Sequence, residues 1–141
     1  MVGVGDSSYF RVQLEGLDED LVGKEYGAHL HNGPCGITDP NDAATVTVGA
    51  HYNISPLKPG TTLPSVISDK TEVWLNFKVN SEGNARDIAT VSFIPTPGDG
   101  ERSITFHEKR TVHHQTAPSG PVVGSAGNKL ACLPLKIKKI G

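Results

Sequence analysis

Apolar and polar residues alternate with period two in six short stretches of the chain. They are "SYFRVQLEG" (8–16), "EYGAHLH" (25–31), "TEVWLNFKVN" (71–80), "DIATVSFI" (87–94), "RSITFHE" (102–108) and "LACLPLKI" (130–137). Each reads as a strand with one face in a core. No window of a dozen residues carries a 3.6-residue period, and 16 glycines and 10 prolines punctuate the apolar runs. This pattern predicts an all-β Greek-key sandwich or flattened barrel. "NSEG" (80–83) reads as a tight hairpin connection, whereas 38–69 and 109–129 are long and rich in Gly, Pro, Ser and Asn. Segments of that length inside a compact domain are usually functional or mobile.

Composition narrows the classes. The chain has 141 residues, 36% hydrophobic and 20% charged, enough for one ordinary core and a single domain over 1–141. A formal charge of −2 with no block of like charges gives no footprint for nucleic acid and no polybasic membrane patch. The apolar runs are too short for a membrane-spanning segment. The start, "MVGVGDSSYF", lacks the pattern of a signal peptide, so the chain is expected to be cytosolic or to have lost a leader. A bridge between Cys35 and Cys132 would close a loop of roughly a hundred residues, worth about 4–5 kcal/mol in the chain-entropy model, and would favour an oxidising compartment. Two free buried thiols are the other reading.

The histidines carry the chemistry. In a strand with Ala28 and Leu30 facing the core, His29 and His31 turn outward together, about 7 Å apart. The same parity turns His107 outward where Ile104 and Phe106 point in, and His51, in the first long loop, is free to fold back beside them. Four imidazole ligands without sulfur suit copper best among the common divalent metals. A lone H-x-H on a strand also fits two solvated histidines.

The order "GAHLH", "PCG", "GAHYN", "ITFHEK", "GSAGNKLAC" resembles the copper-zinc superoxide dismutase family from about residue 9 to about residue 137. The resemblance implies that His29, His31, His51 and His107 hold one copper ion and that Cys35 and Cys132 form an intrasubunit disulfide. It implies an eight-stranded Greek-key barrel. The expected activity is conversion of superoxide to oxygen and hydrogen peroxide by Cu(II)/Cu(I) cycling. In the family one copper histidine also bridges to zinc, which is held by two further histidines and an aspartate. Here no histidine lies between His51 and His107, and the place of the aspartate falls near Val73. The chain therefore resembles the copper-only branch, with no zinc. A secreted or periplasm-like location and a monomer or weak dimer are expected, the domain standing alone or as one unit of a longer secreted protein.

Without zinc, something else must fix the second nitrogen of His51. Val73, Leu75, Phe77 and Val79 read as an inward face, so Glu72 and Asn76 share the outward face with the histidines. Glu72 is the expected partner of His51, Asp69 the runner-up, and a solvated strand-end glutamate the alternative. The family's arginine beside copper is replaced by Lys129, which keeps the charge and loses the bidentate fork. From His107 onward, Lys109, Arg110, Lys129, Lys136, Lys138 and Lys139 face Glu108 alone, an excess suited to steering an anion or simply to solubility. His113 and His114 fall in the second long loop and read as solvated, or as a place to collect copper. Trp74, outward by parity, is expected beneath a loop, and Asn53-Ile54-Ser55 matches a glycosylation sequon. A copper-binding or buffering module, or a purely structural sandwich, are the competing functions.

Overall fold

The computed structural model describes residues 2–4, 7–37, 46–96, 102–113 and 122–135. These form β1 (Val2–Val4), β2 (Ser7–Leu14), β3 (Glu25–His31), β4 (Gly36–Ile37), β5 (Val46–Thr47), β6 (Trp74–Lys78), β7 (Ala85–Val91), β8 (Arg102–His107) and β9 (Lys129–Leu135). Among the described residues there is no α-helix, only a single 3-10 turn at Glu19–Leu21, so no helix is long and apolar enough to cross a membrane. The strands form two main antiparallel sheets, ordered β1-β2-β7 and β6-β3-β8-β9, with β4 and β5 as a separate two-stranded ribbon. The all-β expectation holds, but the sheets do not close into a barrel, and nine strands are described because β1 and the short β4–β5 pair add to the six alternating stretches.

The six alternating stretches supply the six long strands, with ends that coincide or shift by one to three residues. "TEVWLNFKVN" contracts to Trp74–Lys78 because Glu72 and Val73 sit in the turn that enters the strand. β2 and β7 keep the expected alternation: Phe10, Ala89 and Val91 are buried while Tyr9, Arg11, Arg86 and Thr90 are exposed. Pairing Phe10 with Ala89 in register sets those inward residues side by side. Across the sandwich, Ala28 pairs with Leu75 and Leu30 with Ile104, and these join Phe77, Val73 and Val79 in the central cluster. Burying a side chain such as Leu30, Leu75 or Phe77 stabilises the fold by about 1.5–3 kcal/mol each. The hairpin at 80–83 forms as read, with Asn80 N–H on the Asn84 carbonyl at 2.8 Å and the Asn80 side-chain oxygen accepting from Glu82 and Asn84 N–H.

β3 departs from simple alternation. It lies between β6 and β8, and every residue from Gly27 to His31 is buried. One face meets the core; the other, carrying His29 and His31, lies under loops instead of facing solvent as parity alone suggests. The first loop is laid along the end of β3 by Asn32 N–H to Ala50 O, Gly33 N–H to Val48 O and Tyr52 N–H to Leu30 O, all 2.8–2.9 Å. Arg102 clamps the same corner: its guanidinium donates to Thr96 O and Asn32 O and stacks over the Tyr52 ring at 4.5 Å. The chain after β8 folds over the other flank, where Gly27 N–H meets Lys109 O at 2.7 Å and Lys109 N–H meets Ala126 O at 2.9 Å.

Cys35 and Cys132 are joined by a disulfide across 97 residues of sequence, with their α-carbons 5.8 Å apart. It fastens the segment after β3 to β9, beside the same sheet face, and is consistent with an oxidising, extracellular compartment.

Candidate metal centre

Four imidazoles from three regions meet on the loop-covered face of the β6-β3-β8-β9 sheet. β3 contributes His29 and His31, the end of β8 contributes His107, and His51 arrives from the first loop through an isolated antiparallel bridge with His31. One ring nitrogen from each lies within 4.8 Å of the others. A metal–imidazole bond of about 2.0 Å sets opposite ligands about 4 Å apart, so the set closes on one ion with small side-chain shifts. The solvated-histidine reading fails for these four: His29, His31 and His107 are buried and His51 is half-buried.

The hydrogen bonds decide which nitrogen each ring presents. His31 Nδ1–H donates to Gly49 O at 2.8 Å, and His107 Nδ1–H donates to Gly127 O at 3.0 Å. Both carbonyls belong to glycines with φ near +75°, +74° for Gly49 and +79° for Gly127, a backbone state that L side chains rarely adopt. His51 Nδ1–H donates to Glu72 Oε1 at 2.8 Å, and His29 Nε2 lies 2.8 Å from the Thr111 hydroxyl, a contact in which either atom can donate. Each ring therefore turns its other nitrogen toward the cluster, a bare lone pair in His31, His51 and His107. His31 Nε2 and His107 Nε2 face one another at 3.5 Å, and with both Nδ1 protons committed to carbonyls that approach sets lone pair against lone pair. His29 Nδ1 is buried with no hydrogen-bond partner. Converging lone pairs and an orphaned buried nitrogen are what a cation would satisfy, so the residues fit a metal, through Nδ1 of His29 and Nε2 of the other three.

Electrostatics point the same way. Burial, aided by the neighbouring imidazoles, holds His29 far below the ordinary imidazole range. Burial takes His31 down to about 3 against the opposing pull of the Gly49 carbonyl, with His51, His107 and Lys129 adding to the depression. His107 is lowered as well, by burial first, with the Gly127 carbonyl pulling the other way. His29, His31 and His107 are thus neutral at physiological pH, the state in which imidazole can hold a metal.

Glu72 is 2% exposed, not a solvated strand end. Its Oε1 accepts from His51 Nδ1 and from Trp74 Nε1 at 2.9 Å, and its Oε2 accepts from Asn53 Nδ2 at 2.8 Å. Burial alone would raise its pKa, but the three donors outweigh it and the net shift is downward, leaving a buried carboxylate. Asp69 is exposed and has no place in this network. Asn53 spends its amide on Glu72 and on Val66 O at 2.7 Å, and its Oδ1 caps Ser55 N–H, so the sequon asparagine is part of the site's support.

Lys129 pairs with His107 across a bulge between β8 and β9, and its charge helps depress both His31 and His107. Trp74 is covered, as expected, with the exposed His113 against its ring edge at 5.0 Å. His114, Lys136, Lys138 and Lys139 lie outside the described residues. Sequence reasoning missed the donors from Trp74 and Asn53 and the contact to Thr111. Parity places Trp74 on the Glu72 face, but nothing in the sequence marks the reach of Thr111 across 82 positions to His29. No protein-family model matches the chain, and no curated protein matches it significantly.

Proposed function

We propose that the chain is a copper-only superoxide dismutase, the reading implied by its resemblance to that family and supported by the chemistry of the four-histidine cluster. Copper held by His29, His31, His51 and His107 would supply the one-electron couple that converts superoxide to oxygen and hydrogen peroxide. The single observation that carries the reading is an asymmetry among the supports. His31 and His107 lean on backbone carbonyls and His29 on a hydroxyl, while His51 alone is backed by a carboxylate.

His51 alone sets its Nδ1–H against a buried anion, which marks it as the ring suited to carrying a proton. Its side chain is 23% exposed, against 0% for His29, so it is also the ring that meets solvent. Lys129 places a positive charge beside His31 and His107, where it attracts and positions an incoming anion. Val73, at the place of the family's zinc-binding aspartate, is 0% exposed within the apolar core and offers no ligand. The Greek-key connectivity, secretion and monomer or weak-dimer state belong to the same reading.

Copper-loaded protein assayed for superoxide removal by stopped flow tests it. Second-order turnover far above that of the metal-free protein is expected. Stoichiometric copper binding without turnover would make this a copper-holding module instead.

A further inference from the structure

We propose that Thr111 is the positioning residue that fixes the tautomer and rotation of His29, so that Nδ1 and not Nε2 is presented to the cluster. The inference deepens the metal reading and rests on it for its consequence, though the contact itself exists without a metal.

Among the four rings only His29 turns Nδ1 inward. The other three have Nδ1 claimed by an acceptor: a carbonyl for His31 and His107, a carboxylate for His51. For His29 the claimed atom is Nε2, held at 2.8 Å by Thr111 Oγ1, while Nδ1 is the described residues' buried side-chain nitrogen without a partner. A neutral imidazole carries one proton. Placing it on Nε2 satisfies the threonine and leaves a bare lone pair on Nδ1; placing it on Nδ1 would bury an N–H with nothing to receive it.

The threonine is itself held. It is 3% exposed, its N–H donates to Asn76 Oδ1 at 3.2 Å, and the adjoining Val112 N–H is tied to Ser125 O at 2.9 Å. Its hydroxyl occupies space beside Gly27, two residues before His29. A Cβ added to Gly27 would lie 2.5 Å from Thr111 Oγ1 and 2.9 Å from its backbone nitrogen. "GAHLH" therefore needs glycine at its first position because the hydroxyl must reach over β3 to the far nitrogen of His29. A hydroxyl, unlike the carboxylate behind His51, adds no charge, so His29 stays a neutral donor and proton chemistry is left to the His51–Glu72 pair.

The test begins on metal-free protein at pH 7, with the proton on each histidine nitrogen assigned by long-range proton–nitrogen NMR. The expected result for the wild type is His29 protonated on Nε2 alone, with Thr111→Val giving a mixed or reversed tautomer and Thr111→Ser restoring it. Copper titration of the same three proteins should show affinity falling about 10- to 100-fold in Thr111→Val, the usual effect of losing a ligand's outer partner, with recovery in Thr111→Ser. The Cu(II) EPR spectrum should change only in the valine variant. A wild-type His29 carrying its proton on Nδ1 overturns the inference with no variant needed. So does a folded Thr111→Val protein with unchanged tautomer and EPR spectrum. Failure of all three proteins to bind copper would strike the metal reading instead, while the NMR result still judges the threonine.

Discussion

Replacing Glu72 by glutamine changes one oxygen to an amide nitrogen at a site with no room for a second donor. Three N–H groups converge on the carboxylate, from His51 and Trp74 on Oε1 and from Asn53 on Oε2. Whichever way the amide turns, its NH2 meets at least one of them. With Asn53 the loser, one buried donor goes unsatisfied, costing about 1–3 kcal/mol, and the two remaining bonds lose their charge assistance, about 1 kcal/mol more. Glu72→Gln should therefore destabilise the metal-free protein by about 2–4 kcal/mol at pH 7. That appears in urea denaturation as a midpoint lowered by about 1–2 M at unchanged slope. A second substitution sharpens the test. Asn53→Asp alone sets two carboxylates together and should destabilise, but in the Glu72→Gln background it gives the new NH2 an acceptor. The double-mutant cycle should show favourable coupling of about 1–3 kcal/mol. A Glu72→Gln protein within about 0.5 kcal/mol of wild type, or strictly additive substitutions, would refute the picture of an anion held by three donors.

Acid should unfold the metal-free protein early. The imidazoles of His29, His31 and His107 have folded pKa values below the ordinary 6.5. The unfolded chain therefore binds more protons below that pH, and stability is lost as pH falls from about 6.5 toward 3, with a slope approaching about 3 kcal/mol per pH unit from His29 and His31 and a further contribution from His107. Glu72, whose pKa is depressed, adds to the loss below its unfolded value. Urea midpoints measured from pH 7 to 5 check this, and a flat profile contradicts it. Reducing the Cys35–Cys132 disulfide should cost about 4–5 kcal/mol, read as a lowered melting temperature, because it releases 97 residues of closed chain. Lys129→Glu should slow superoxide removal and abolish its decline with ionic strength; turnover independent of salt in the wild type would remove the steering role.

The strands were legible because each pairs an apolar face with a polar one: Phe10, Ala89 and Val91 inward, Tyr9, Arg11 and Thr90 outward. Three of the four clustered histidines were legible because H-x-H on one strand fixes two rings to one face and His107 follows from the parity of Ile104; His51 followed from its place in the first long loop and from the family resemblance. Glu72 was reached by the same parity. What parity could not supply is cover. It turned His29 and His31 outward without showing that the segments 48–54, 108–113 and 122–128 cover them. The supports come from distant chain: Gly49 O on His31, Gly127 O on His107, Thr111 on His29. Their reach depends on loop conformation, which the alternation of apolar and polar residues does not encode. Alternation left sandwich and flattened barrel both open; that the sheets stay open, where the family resemblance implies a barrel, is likewise a matter of pairing between strand edges and not of composition.

The most direct measurement is a copper titration of the metal-free protein followed by EPR. Binding should saturate at one Cu(II) per chain with hyperfine structure from four imidazole nitrogens, and replacing any one of His29, His31, His51 or His107 by alanine should remove one of them. Two tightly held ions per chain, or a spectrum that keeps all four nitrogens after such a replacement, would contradict a single centre built from these rings.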